Sequence, residues 1–96
     1  MATFAARRLQ PMIDNTAHIL GIELLAAAQG IDFLRPLRSS ASVEAAHAYV
    51  RAHCPTLVRD RHLALDIERA TRLVRDGSLA GILRRLDDLP ALWIPA

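Results

Sequence analysis

The residues of this sequence best suited to chemistry are His18, His47, His53, His62 and Cys54, with the carboxylates Glu23, Asp60, Asp66 and Glu68 as possible companions. A zinc site draws Cys, His or carboxylate ligands from short, patterned spacings. Here His53 and Cys54 are adjacent, a spacing that rarely lets both side chains reach one ion, and neither C-x-x-C nor H-E-x-x-H occurs. The histidines therefore read as surface or packing residues. A cysteine nucleophile needs a positioned base. His53 adjoins Cys54, but neighbours at the end of a helix point apart, so Cys54 reads as a half-buried thiol. Asp66 and Glu68, two apart on a helix, face away from each other and make no acid–base pair; Asp60 reads as a turn cap. Glu23 borders the densest apolar stripe, where an unpaired carboxylate is costly, and is expected in a structural ion pair with an Arg of this chain or of a partner. The four glycines are scattered and build no phosphate-binding loop. Taken alone, the residue types name no catalytic, cofactor-binding or metal-ligating position.

The elements that carry these residues are all helical by pattern. Ala, Leu, Arg, Gln, Met and Ile dominate from Thr3 to Gln29, which reads as one long helix that Pro11 either bends or begins. At 100° per residue, Leu9, Ile13, Ala17, Leu20, Leu24 and Ala27 fall on one stripe. Ile19, Ile22, Leu25 and Ala26 occupy other faces, so the C-terminal half has no wet side. Asp14 and His18 mark the wetter side of the N-terminal half, and Gly30 is the expected C-cap. Pro36 discourages helix at Arg35, and Ser39 or Ser40 can cap a second helix over 41–53, with Val43, Ala46 and Val50 on one side. Cys54-Pro55 ends it, and a loop or single turn follows. A third helix is expected over 65–76, with Ile67, Ala70, Leu73 and Val74 as its apolar stripe and Glu68–Arg72 as a favourable i,i+4 pair. Gly77 stops it, and "SLAGILRRLDD" reads as a last short helix before the tail "LPALWIPA". The expectation is an all-α fold of three to four helices, a single unit over 1–96 and a fragment of a helical bundle.

Composition narrows the function classes. Apolar residues make up 52% of 96, above the roughly 45–50% typical of soluble domains, although a chain this short has only a thin core in which to bury them. A partner surface is the natural destination for the surplus. All twelve basic residues are Arg, interleaved with ten acids for a net charge of +2, not gathered into the one-sided patch that nucleic acid requires. The four aromatics, Phe4, Phe33, Tyr49 and Trp93, supply no stacking platform. One cysteine excludes an internal disulfide and fits a reducing cytosol. No signal peptide is visible, and the longest apolar run, interrupted by Glu23, is too short to span a bilayer. A soluble, cytoplasmic chain bound neither to nucleic acid nor to membrane is expected.

Two blocks carry a resemblance. "AARRLQPMIDNTAHILGIELLAAAQGIDFLRPLRSS", followed by "DRHLALDIERATRLVRDGSLAGIL", resembles the C-terminal part of the aromatic amino acid ammonia-lyases, above all the bacterial histidine ammonia-lyases. The positions of Asn15, Ile22-Glu23, Ala28-Gln29-Gly30 and Arg35-Pro36-Leu37 all fit the pattern. The resemblance implies that the long helix belongs to a bundle of near-parallel helices at the centre of a homotetramer, where a helix without a wet face is expected. It also implies what is absent here. Family members are several times longer, and their methylidene-imidazolone prosthetic group forms from an Ala-Ser-Gly tripeptide that this sequence lacks. The family's tyrosine base lies on an N-terminal loop that Tyr49 does not match. The last active-site carboxylate lies in a Gln-Glu-Asp-His-Val-Ser-Met segment whose final Met aligns with Met1. A start there looks like a truncated or misassigned reading frame, a deliberate fragment or a stand-alone remnant.

The resemblance thus transfers no catalytic, cofactor-binding or metal residue to any position, and no cofactor is expected. The leading expectation is a non-catalytic C-terminal segment of a carbon–nitrogen lyase, acting in helix packing and self-association as a dimer or tetramer through the first helix. It is expected not to be an enzyme on its own. The rival readings are one subunit of a split ammonia-lyase, active only with the missing portion, and a small helical adaptor that binds another protein.

Overall fold

The structure, a computed structural model, describes residues 1–85. It holds four helices: α1 (Ala2–Phe33), α2 (Ala41–His53), α3 (Ala64–Arg75) and α4 (Ser78–Leu83). The described residues contain no strand, so the all-α expectation holds. The part of the last expected helix beyond Arg85, and the tail with Trp93, lie outside the described residues.

α1 is 32 residues long and runs unbroken through Pro11, which places its two ends about 48 Å apart at 1.5 Å per residue. It also runs past Gly30, the expected C-cap, and ends at Leu34, whose N–H reaches the carbonyls of Ile31 and Asp32. The added turn is held by tertiary bonds: Gln29 and Asp32 are tied to α2 and to the loop beyond it. No capping signal in the sequence encodes such ties. Across the turn that contains Pro36, Ser40 caps α2, its Oγ accepting from Val43 N at 3.4 Å. α2 keeps its expected limits and α3 begins one residue early. α3 ends at Arg75, one residue short of its expected limit, with Asp76 as its cap, and the next residue, Gly77, adopts φ +73°, a left-handed turn open to glycine at no steric cost.

α1 lies mainly against α3, and its buried line is not the expected stripe. Ala17, Gly21 and Ala28 are buried and Leu24 and Leu25 half-buried, whereas Leu9, Ile13, Leu20 and Ala27 are exposed. The structure selects small residues because α3 comes very close. A Cβ built on Gly21 would stand 2.8 Å from Thr71 Oγ1 and 2.9 Å from Thr71 N. Asp14, expected on the wet side, is half-buried and paired with Arg75 of α3. The α3 face follows its pattern, with Ala70 and Leu73 buried and Ile67 and Val74 half-buried. The Glu68–Arg72 pair forms at 3.7 Å, although both side chains are well exposed and such a pair contributes little.

The core is small: Ala28, Val50, Cys54 and Ala70, flanked by Leu24 and Leu25. The principal extents are 54 × 44 × 17 Å and the radius of gyration is 16.1 Å, against about 12–13 Å for a compact domain of this length. Accessible surface is 7533 Å², where a folded chain of this mass exposes roughly 5,500 Å². The chain folds as a thin slab with much apolar surface outside it, including Phe4, Leu9, Met12, Ile13, Ile19, Leu20 and Ile22 of α1.

The two glycines of α1 separate close packing from helix propensity. Gly21→Ala is expected to destabilise by about 1–3 kcal/mol, because overpacking against Thr71 outweighs the propensity gain. Gly30→Ala meets nothing within 4 Å and is expected to stabilise by roughly 0.5–1 kcal/mol. Urea unfolding of both variants checks the pair of signs.

Candidate functional site

The densest set of polar side chains gathers where the end of α1 meets α2 and the loop after it. Four atoms converge on the Asp32 carboxylate. His47 Nε2 donates to Oδ1 at 2.7 Å, while Arg51 Nε (2.9 Å), Arg51 Nη2 (2.8 Å) and Thr56 Oγ1 (3.2 Å) reach Oδ2. Two spacings build the site: Gln29 and Asp32 lie three apart on α1, and His47 and Arg51 lie four apart on α2, so each pair shares a helix face. Gln29 clasps the loop in both directions, its Nε2 donating to Leu57 O at 3.0 Å and its Oε1 accepting from Leu57 N at 3.1 Å. Arg51 Nη1 donates to Cys54 O at 2.9 Å and closes the end of α2.

A second carboxylate extends the network. Glu44 is held by Arg35 through two bonds of 2.7 and 2.8 Å, and by the backbone N–H of Ser39 at 2.8 Å. Arg35 Nη2 also lies 3.4 Å from His47 Nδ1. A guanidinium has only donors to offer, so Nδ1 accepts and Nε2 carries the proton given to Asp32. A third tie, Arg61 on Asp66 at 3.0 Å, also reaches Pro55 O and Thr56 O and pins the loop to the first turn of α3.

These contacts set the acidities. The Arg35 bonds, helped by the Ser39 N–H, lower Glu44 to about 2. Burial opposes ionisation of Asp32, but the hydrogen bonds from Arg51 and His47 outweigh it and keep its pKa below the ordinary value. Cys54 moves the other way: burial first, then the Asp66 carboxylate, raises its thiol pKa, whereas a nucleophilic cysteine needs it lowered. Its sulfur is fully buried and donates to Asp66 O at 3.8 Å. Every side chain in the network is thus matched to a partner, and the arrangement can fasten the end of α1, α2 and the loop together.

The residues singled out by sequence do not converge. His18 donates to Asp14 O within α1, His53 stands against the Tyr49 ring on the outside of α2, and His62 is exposed on the loop. His53 and Cys54 do point apart, with the thiol buried more deeply than expected. Asp66 is a buried ion-pair member and Glu68 an exposed one; Asp60 caps no turn. Glu23 is exposed and pairs with no Arg among the described residues, which corrects the expected ion pair within this chain. Among the described residues no three His, Cys, Asp or Glu side chains group to hold a metal ion, and no helix is long and apolar enough to cross a membrane. The network of Asp32, Arg51, Thr56, Arg35 and Glu44 was missed. Its available signal was the polar pair inside each of two largely apolar helices.

Two apolar grooves flank this polar tie. One, of about 240 Å³, lies between α1, the loop and α3, with Ile22, Leu25, Leu57 and Ile67 among its walls. The other, of about 280 Å³, lies between α1 and α2, with Ala27, Ile31, Ala46 and Val50 in its walls and Leu83 of α4 at its edge.

Comparison with known proteins places the chain among relatives. The family model described as aromatic amino acid lyase matches residues 1–52. A histidine ammonia-lyase of Roseobacter denitrificans is 50% identical over 91 residues, covering 95% of this chain and 17% of that protein. One of Desulfotalea psychrophila is 53% identical over 91 residues, covering 95% of this chain and 18% of that protein. The chain therefore spans less than a fifth of the length of these relatives. No solved structure matches it.

A depressed carboxylate contributes stability above its unfolded pKa and loses it as pH falls through the folded one. Stability is expected to decline as pH falls from about 4.5, the ordinary value for Glu44, towards its folded value of about 2, with Asp32 adding to the same trend. Glu44→Gln should be less stable at neutral pH and show a shallower acid limb in urea titrations run at stepped pH.

Proposed function

The chain belongs to the aromatic amino acid lyase family, and from that premise we propose that it is a non-catalytic helical segment of a histidine ammonia-lyase that supplies packing and self-association surface. The supporting observation is the outer face of α1. Phe4, Leu9, Met12, Ile13, Ile19, Leu20 and Ile22 are all exposed on one helix, a larger apolar patch than a monomer ordinarily leaves in water. Relative to a compact domain of its mass the chain exposes about 2,000 Å² more, an area comparable with a stable protein–protein interface. A second copy, or the remainder of a lyase, is the partner of matching chemistry.

Two of the positions through which the family resemblance was read point the same way. Asn15 and Glu23 are exposed and their side chains take no part in any hydrogen bond or ion pair among the described residues, while Gln29 and Arg35 are fully engaged inside the chain. The first pair has work only if another surface meets it. The residues present do not fit the family's methylidene-imidazolone group, since no Ala-Ser-Gly occurs in the sequence. By resemblance of its motifs the segment is C-terminal in the lyase, in a cytoplasmic enzyme, a setting that its one buried thiol suits.

Light scattering of the purified chain across a wide concentration range is expected to give a dimer or tetramer, and ammonia release from L-histidine is expected to stay at the uncatalysed rate. A concentration-independent monomer contradicts the association. Ammonia release by the chain alone contradicts the non-catalytic reading, and release only on mixing with a second lyase polypeptide would move the assignment to a subunit of a split enzyme.

A further inference from the structure

The outer side of α1 carries a second periodicity, separate from the line that meets α3. Arg8, Met12, Asn15, Ile19, Ile22 and Ala26 follow one another at steps of four, three, four, three and four residues, and all are exposed. This is the 3.5-residue repeat of a seam between two paired helices. At 100° per residue it lies roughly opposite the buried Ala17, Gly21 and Ala28, on the side away from Thr71 of α3. Towards its C-terminal end the seam opens into the apolar groove beside Leu57 and Ile67, of which Ile22 and Ala26 are walls. Two opposite charges stand on it without a counter-ion among the described residues. Arg8 has only the Phe4 ring, 5.7 Å from its guanidinium carbon, and Glu23, on the flank of the seam, has no side-chain partner. Asn15, within the seam, makes no side-chain hydrogen bond.

We propose that α1 pairs antiparallel with α1 of a second copy along this seam, with Arg8 level with Glu23 of that copy. This pairing rests on the self-association reading given above and adds its surface and its direction. One twofold axis, midway between Arg8 and Glu23, makes both ion pairs at once, one at each end of the contact. The same register levels Met12 with Ile19 of the second copy. It also brings the two Asn15 side chains within one residue of each other at the axis, where each amide can donate to the other, and a polar residue in such a seam fixes register. A parallel pair would set Arg8 against Arg8 and Glu23 against Glu23, and facing like charges are costly at an interface. From Arg8 to Ala26 the contact is about 27 Å long, and its apolar members leave water together. Charges that answer each other only across a twofold axis are the mark of a second copy as occupant.

Sedimentation equilibrium of the full chain and of charge-reversed variants, at low salt, tests the pairing. Arg8→Glu and Glu23→Arg should each raise the dissociation constant roughly tenfold. The double variant Arg8→Glu/Glu23→Arg should restore it, because both ion pairs re-form with their signs exchanged; in a parallel pair neither the losses nor the restoration would occur. Ile13→Gln, on the other exposed face of α1 beside Val74, should leave association unchanged. An associating chain that ignores both single reversals, or that the double variant fails to restore, overturns this pairing and leaves self-association standing. So does an association lost in Ile13→Gln. A monomer at every concentration of the unaltered chain removes the self-association and this pairing with it.

Discussion

The Asp32 carboxylate is the interaction on which the arrangement of α1, α2 and the loop depends. His47, Arg51 and Thr56 all point their donors at it, and Gln29, one turn earlier on α1, fastens Leu57. Without this tie little would fix α2, because the apolar core it shares with α1 and α3 comes down to Ala28, Val50, Cys54 and Ala70. Buried ionic groups are expensive to desolvate and often no more stabilising than a well-packed apolar replacement. What they supply here is register. Four donors in fixed positions accept only one placement of α2 along the last two turns of α1, whereas a contact among alanines would slide. The same bonds explain why α1 continues past Gly30.

α1 meets the opposite constraint along the rest of its length. Its inner line of Ala17, Gly21 and Ala28 lets α3 approach until Thr71 touches the helix backbone, and close packing of small residues is what a short helix such as α3 can achieve. The larger side chains are thereby turned outward, where the described residues leave them exposed. A helix of 32 residues beside three of 13, 12 and 6 cannot be wrapped on all sides. The thin slab is thus a consequence of length mismatch among the described helices.

Much of this fold was legible in the sequence, and the misses have specific causes. The limits of α2 and the stop at Gly77 came from Ser40, Pro55 and glycine, local signals that act wherever they occur. The stripe on α1 was misplaced because hydrophobic periodicity rewards large side chains, while the real contact with α3 was chosen by smallness at Gly21 and Ala17. Asp14 and Glu23 exchanged expected roles for the same reason: rotating the buried line by one residue carried Asp14 to Arg75 and left Glu23 in water. The Asp32 network could not be read because its members come from positions 29 to 56, and nothing in one sequence says that these distances close. Its motif residues, Gln29 and Arg35, did stand out by resemblance, and in the structure they bind Leu57 and Glu44.

The most direct test of the account is amide hydrogen exchange along α1, measured at low and high protein concentration. Residues 2–13 are all exposed, and an uncovered stretch of helix opens readily. If another copy covers this face, amides of 2–13 are protected at high concentration and lose that protection on dilution, while those around Gly21 and Ala28 stay protected throughout. Equal, rapid exchange of 2–13 at every concentration would contradict the claim that α1 carries the surface through which this chain associates.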